Sequence, residues 1–189
     1  LRELWCIYLW HVTTRMKENK SVIIWLISGC LLIFTMVIVG GITRLTGSGL
    51  SMVDWKFFMG SIPPLNNQQW LETFELYKQF PEFQKQNYMF SLTEFKNIFF
   101  WEYIHRLLGR LIGLVFIIPF LYFLIKRKLS KKLFFQCTIL LFMGASQGII
   151  GWWMVKSGLI NNPNVSHFRL ATHLITAFLT FSYTFWIAF

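Results

Sequence analysis

Four stretches of this chain are predominantly apolar for twenty residues or more, and nothing else constrains its fold as strongly. They run from about Val22 to Ile42, from about Phe99 to Ile125, from about Leu133 to Val155 and from Ser166 to Phe189. A helix of that length crosses a hydrocarbon layer of about 30 Å, since each residue adds about 1.5 Å and the helix satisfies its own backbone. The expected fold class is therefore an all-α membrane protein, a four-transmembrane-helix bundle over residues 22–189. Residues 1–21 precede it as an N-terminal segment on the cytoplasmic or matrix side. Net charge is +10, but the cations fall at the ends of the spans instead of forming a stripe, so no nucleic-acid partner is expected. Lys126, Arg127, Lys128, Lys131 and Lys132 share one short connection with no acidic residue among them. By the positive-inside rule that connection, and both termini with it, lies on the cytoplasmic or matrix side.

The long external loop, 44–98, is expected to hold short amphipathic helices. Gln68 to Phe80 places Trp70, Phe74 and Tyr77 on one face, as an interfacial helix on the bilayer or a cap on the bundle. Ser91 with Glu94 three residues on is a capping-box pattern, so the second long helix should start near Leu92. In the third span Gly144, Gly148 and Gly151 line one face, where a neighbouring helix could approach closely. Trp152 and Trp153 mark its outer end. Cys6, Cys30 and Cys137 all lie outside the long loop and make neither a disulfide framework nor a CxxC metal site. The sequence opens on Leu1, and Met16 looks like a natural start. Residues 1–15 read as an upstream extension of the reading frame, which leaves His11 without a function.

The chemistry concentrates in Phe100–Phe116, FWEYIHRLLGRLIGLVF. A charge near mid-membrane costs several kcal/mol unless paired, so ionisable residues there point to function. At helical spacing Glu102, His105, Arg106 and Gly109 share a face. Gly109 and Gly113 would give the ring a floor without side chains, on which a flat macrocycle could lie. One reading is a buried haem ligand with a carboxylate beside it; the other is a polar pair bracing a helix bundle.

Topology favours the first. The second and fourth spans both run from outside to inside, with His105 roughly six residues into one and His173 roughly seven into the other. Both imidazoles then sit about 9 to 11 Å below the outer surface. Two histidines at equal depth on parallel helices can ligate one haem iron from opposite faces. The fourth helix repeats the floor, with Ala177 one turn beyond His173 and Thr180 two.

Arg44 at the outer end of the first helix, Arg169 one turn outside His173 and Arg106 beside His105 could hold haem propionates outward, because the guanidinium fork suits carboxylates. Arg44 and Arg169 could equally snorkel to lipid headgroups. Arg110 lies deeper and needs an internal partner. Glu102 separates chemistry from electron carriage: beside a haem edge it could relay protons or stabilise developing positive charge, or it could simply pair with Arg106.

Read together, GGITRLTGSGLSMVDWK, then PP, WLETFELYKQFPEFQ, EYIHRLLGRLIGLVF, GASQGIIGWWMVKSGL and RLATHL resemble haem A synthase, closest to its mitochondrial and alphaproteobacterial type. The resemblance covers nearly everything from the first span onward, in the family's order. It implies oxidation of a methyl substituent of haem O to the formyl group of haem A, for assembly of aa3-type oxidases. By the same resemblance the iron ligands match His105 and His173, and the glutamate of the family's EXXHR motif matches Glu102. The loop cysteine pair of other members is absent, as in this type. His167 matches no motif histidine and reads as a helix-start residue.

The family is built as two similar four-helix bundles, the second carrying a haem b for electron transfer. This sequence holds the first, the substrate-haem half. It is then a fragment, one product of a split gene, or a single-bundle form pairing with another copy as a homo-oligomer, and catalysis by this chain alone is not assumed. Partners implied are haem O synthase, oxidase assembly proteins and the lipid bilayer, in a bacterial inner membrane or the mitochondrial inner membrane. The alternative is a bis-histidine membrane cytochrome that carries electrons without substrate chemistry.

Overall fold

In a computed structural model, the structure describes residues 20–53, 62–159 and 163–189. His11, Cys6 and the proposed start at Met16 lie outside them. The described residues form helices and loops with no strand: α1 (Lys20–Leu45), α2 (Asn67–Lys78), α3 (Pro81–Lys85), α4 (Leu92–Ile125), α5 (Lys131–Lys156) and α6 (His167–Ala188). Four of these, α1, α4, α5 and α6, are long and apolar enough to cross a membrane, so the chain is a multi-pass membrane protein.

Local chemistry sets the boundaries. Ser91 and Glu94 form the expected capping box: Ser91 Oγ accepts from the Glu94 amide while the Glu94 side chain accepts from the Ser91 amide. Asn66 and Ser130 cap α2 and α5 through side-chain oxygens in the same way. α1 runs three residues past Ile42, through Gly40–Gly41, with Gly40 packed against the His105 ring. It stops where the Ser48 amide bonds back to the Thr43 carbonyl at 2.9 Å and the Gly47 amide to Arg44. That Schellman turn needs a left-handed residue, and Gly47 supplies it at φ 64°.

The spans pack as a ring, α4 beside α1, α1 beside α6, α6 beside α5, with a thinner fourth side between α5 and α4. Neighbours are antiparallel. Trp25 near the start of α1 donates its indole N–H to the Val115 carbonyl of α4 at 2.8 Å, while Thr43 near the end of α1 reaches Trp101. Phe34 pairs with Phe181, their ring centroids 6.5 Å apart. α4 and α6 therefore run parallel on opposite corners of the ring.

Two apolar clusters hold it. At the end bearing the basic connection, Val22, Trp25, Leu26, Phe120, Phe123, Leu133, Cys137, Leu140, Ile187 and Ala188 make a closed core. At the other end Phe74 and Tyr77 of α2 stack on Phe95 of α4, with Trp70 edge-on to Phe99. α2 thus caps the bundle. Between the clusters the packing is looser: no residue is fully buried from 31 to 42 on α1, 103 to 119 on α4, 141 to 156 on α5, or 167 to 179 on α6, though many there are half-buried.

Candidate functional site

Glu102 lies at the outer edge of that looser zone, 3 % exposed. Its Oε2 accepts from the Ser51 hydroxyl and the Met52 amide, each at 2.7 Å, and its Oε1 from Arg106 Nη2 at 2.6 Å. The same Nη2 donates to the Met52 carbonyl at 3.0 Å. Glu102 and Arg106 are one turn apart on α4, so their pairing follows from helix geometry. The buried pair clamps residues 48–52, the segment just after α1, onto α4. Ser48, Leu50, Ser51 and Met52 are buried there, and Leu50 fills the space beside Gly158, where a Cβ would stand 2.8 Å from its methyl. Arg106, expected to face propionates, has this nitrogen committed to the clamp.

His105 lies three residues inward of Glu102, its ring against α1: a Cβ at Gly40 would stand 3.3 Å from Nε2. His173 lies against α5, where a Cβ at Gly151 would stand 3.3 Å from Cε1. Each ring needs a glycine on the adjoining helix, a contact the sequence reading did not supply. α1 measures their depths on a common scale. Gly40 is level with His105. Gly29 meets Thr184 and Phe34 meets Phe181, so counting outward along α6 brings His173 level with positions 40 to 42.

The glycine floors need correcting. Gly109 admits Met36 of α1, whose Cε would be 3.4 Å from a Cβ there, so it serves helix packing; Gly113 faces open space. The α5 stripe was expected to admit a neighbouring helix along its length. Only Gly151 is approached, by His173, and nothing stands within 4 Å of a Cβ at Gly144 or Gly148. Yet these continue the stripe of Leu133, Cys137 and Leu140, which faces the closed core, at three- and four-residue spacing. The stripe points inward at both ends, and Gly144 and Gly148 lie on it, exposed and with nothing packed against them.

Arg169 donates Nη1 to the Trp153 carbonyl at 2.7 Å and lies over the Trp153 ring, tying the outer ends of α5 and α6. Arg44 is exposed at the outer end of α1, Arg110 is half-buried one turn inward of Arg106, and His167 is exposed as the first residue of α6. Sequence reasoning passed over Gln147, whose side-chain amide reaches His173 Nδ1. A lone amide among the glycines of a span was the available signal. It also passed over Ser51, which nothing in the sequence pairs with Glu102.

Buried outside the spans, Tyr77 donates its hydroxyl to Glu82 at 2.9 Å and accepts from Asn87 at 2.8 Å. Burial pushes the Glu82 carboxyl up to about 7, against the Tyr77 hydrogen bond, and the Glu102 charge adds to the rise. Burial, with Glu82 beside it, drives the Tyr77 hydroxyl up as well.

Among the described residues no three His, Cys, Asp or Glu side chains gather to hold a bare ion. What the bundle brings to one level is a pair of imidazoles, each lying against a glycine of an adjoining helix. The class the fold defines is a multi-pass helical membrane protein. The chain belongs to the COX15-CtaA family, described as cytochrome oxidase assembly protein, whose model matches residues 23–189. It is 63 % identical over 175 residues to a haem A synthase of Flavobacterium psychrophilum, covering 92 % of this chain and 52 % of that protein. It is 53 % identical to one from Nitrosospira multiformis, over 90 % of this chain and 48 % of the relative, and 52 % identical to one from Bradyrhizobium diazoefficiens, over 90 % and 47 %. The chain thus spans about half the length of these curated relatives. No solved structure matches it.

Proposed function

We propose that this chain forms the substrate-haem half of a haem A synthase, holding haem O between His105 and His173 while a methyl substituent is oxidised to the formyl of haem A. The observation that carries the reading is the loosely packed zone shared by all four spans at the level of the two histidines. Four helices that pack closely at one end would normally do so along their length, because apolar side chains left unpacked forfeit contact energy.

In this reading His105 and His173 would hold the haem, and the haem iron would supply the redox-active centre. Arg44 and Arg169 offer cations toward the outer rim for the propionates, with Arg106 beside them, and Arg110 adds a cation one turn further in. Glu102, hydrogen-bonded by Arg106, Ser51 and the Met52 amide, places a fixed carboxylate where a substituent becomes electron-poor. Preorganised charge of this kind needs no rearrangement during reaction. The basic connection 126–132 sets that end, and the N-terminal segment, on the cytoplasmic or matrix side of an inner membrane. The family resemblance adds a second half that carries electrons, with haem O synthase and oxidase assembly proteins as neighbours, and the relatives are about twice as long as this chain.

The test is to express the chain with a source of haem O and extract its haem. Haem O or haem A retained on the purified protein, and lost in His105→Ala and His173→Ala, is expected. Haem A that disappears in Glu102→Ala would assign turnover to this half. Absence of a Soret band from the undenatured protein would overturn the proposal. Electron carriage alone is the second reading, favoured by the occupation of both Glu102 oxygens within the clamp. It requires a low-spin b-type spectrum and function that survives Glu102→Gln.

A further inference from the structure

Gln147 projects from the open stretch of α5 toward α6. One end of its amide lies 3.2 Å from His173 Nδ1 and 3.3 Å from the His173 carbonyl; the other lies 2.8 Å from Thr176 Oγ1 and 3.2 Å from the Ala177 amide. With the nitrogen toward His173 all four contacts are hydrogen bonds, and Nδ1 is an acceptor. Neutral imidazole then carries its proton on Nε2, where a metal would bind. With the oxygen toward His173, Nδ1 donates instead and Nε2 keeps its lone pair. The amide nitrogen then points at Thr176, whose hydroxyl donates to the Thr172 carbonyl at 2.8 Å and can accept from it. In this second orientation the amide oxygen sits 3.3 Å from the His173 carbonyl and the amide nitrogen 3.2 Å from the Ala177 amide, acceptor against acceptor and donor against donor. Both backbone groups lie within the hydrogen-bonded run of α6.

From this geometry we infer that Gln147 is the positioning residue that selects the tautomer of His173, its amide turning oxygen-first when Nε2 takes a metal. The inference rests on the reading of His173 as an iron ligand. Ligating histidines nearly always donate their second N–H to a fixed acceptor, which orients the ring and raises its basicity. Gln147 with Thr176 can supply either polarity to Nδ1 at nearly unchanged atomic positions: the nitrogen-first arrangement satisfies the empty site, and a metal on Nε2 offsets the two unfavourable backbone contacts of the oxygen-first one.

The test titrates iron protoporphyrin IX into the purified chain in detergent, followed by its Soret band and then by redox titration. Gln147→Leu removes the acceptor and is expected to weaken binding about 10- to 100-fold, the usual loss for an outer partner of a metal ligand, with the midpoint potential rising. Gln147→Glu keeps the shape but bonds Nδ1–H more strongly, so it should retain the group and lower the midpoint. Opposite shifts in the two variants are the signature that a packing role would not give. Parental midpoints in both, or shifts of the same sign, with His173→Ala unable to hold the group, would overturn the inference and leave the ligand reading standing. A parental spectrum in His173→Ala would remove the ligand and both readings with it. Should Gln147→Leu fail to fold, the isosteric Gln147→Glu still decides by the direction of its shift.

Discussion

The two halves of the bundle are made from the same four helices and solve different problems. On α5 one inward stripe reads Leu133, Cys137, Leu140 and then Gly144, Gly148, Gly151. Up to Leu140 every position is buried; beyond it only Gly151 is touched, and by a histidine. The stripe on α4 changes likewise, from Phe123, Phe120 and Phe116 to Gly113, Gly109 and His105. The closed half fixes the helices relative to one another, and the open half uses that rigidity to hold side chains apart. Ring against glycine substitutes there for ring against ring.

The largest effect should come from the clamp that bounds the open half. In Glu102→Ala the Arg106 guanidinium stays buried without its carboxylate, and breaking such a pair costs about 3–5 kcal/mol. Residues 48–52 should detach from α4, read as proteolysis or hydrogen exchange confined to that segment. Glu102→Gln keeps the acceptor for Ser51 and should lose less. If the segment stays protected in the alanine variant, the clamp is not what closes the outer end.

Next is a matched pair on the α5 stripe. Leu140→Ala leaves a cavity in the closed core and should destabilise the bundle by about 2–5 kcal/mol, seen as a lower midpoint in thermal or denaturant unfolding. Gly144→Leu, one turn further out, enters open space and should leave that midpoint within about 1 kcal/mol, since an overpacked site would lose about 1–3. It should nonetheless prevent retention of a haem. Equal losses of stability at the two positions would erase the distinction between the halves.

A smaller effect separates the membrane bundle from its outer cap. Glu82 holds a proton up to about pH 7 in the fold and only to 4.5 when released. Between those values the folded cap binds a proton that the unfolded cap does not, so its stability falls as pH rises through the window. Protection of α2 should drop by about 2 kcal/mol between pH 4.5 and pH 8, taking about 1.4 kcal/mol per unit and discounting for residual hydration. Glu82→Gln should abolish the slope. α5 and α6, which lack a titrating partner in the cap, should show none of it.

What the sequence made legible follows the same division. Spans, caps and the depth of the histidines depend on spacing along one helix, and spacing is written in the chain: Ser91 with Glu94, or Glu102 with Arg106, needs no tertiary knowledge. The glycines were misjudged for the opposite reason. Gly109 and Gly144 are alike in sequence, yet one admits Met36 and the other has nothing packed against it, because ring order around the bundle decides it. Ser51 and Gln147 went unnoticed for the same cause, their partners being supplied by another helix.

The smallest prediction compares the turns that end α1 and α4. Both close the same way: the Lys128 amide returns to the Phe123 carbonyl as the Ser48 amide returns to Thr43. The left-handed position is Gly47 at φ 64° in one and Arg127 at φ 52° in the other. A side chain there costs about 1–2 kcal/mol, while glycine carries about 0.5–1 kcal/mol of extra chain entropy in the unfolded state. Gly47→Ala should therefore lose about 1 kcal/mol and Arg127→Gly gain up to about 1, both small enough to need paired unfolding curves. An arginine retained where glycine is favoured implies that its charge matters more than the turn. In that case Arg127→Gly should raise stability while loosening the orientation bias of the basic connection, scored by labelling cysteines introduced on either side of the membrane. A stabilised variant with unchanged orientation would show that the four remaining cations suffice, and the two turns would then differ only in strain.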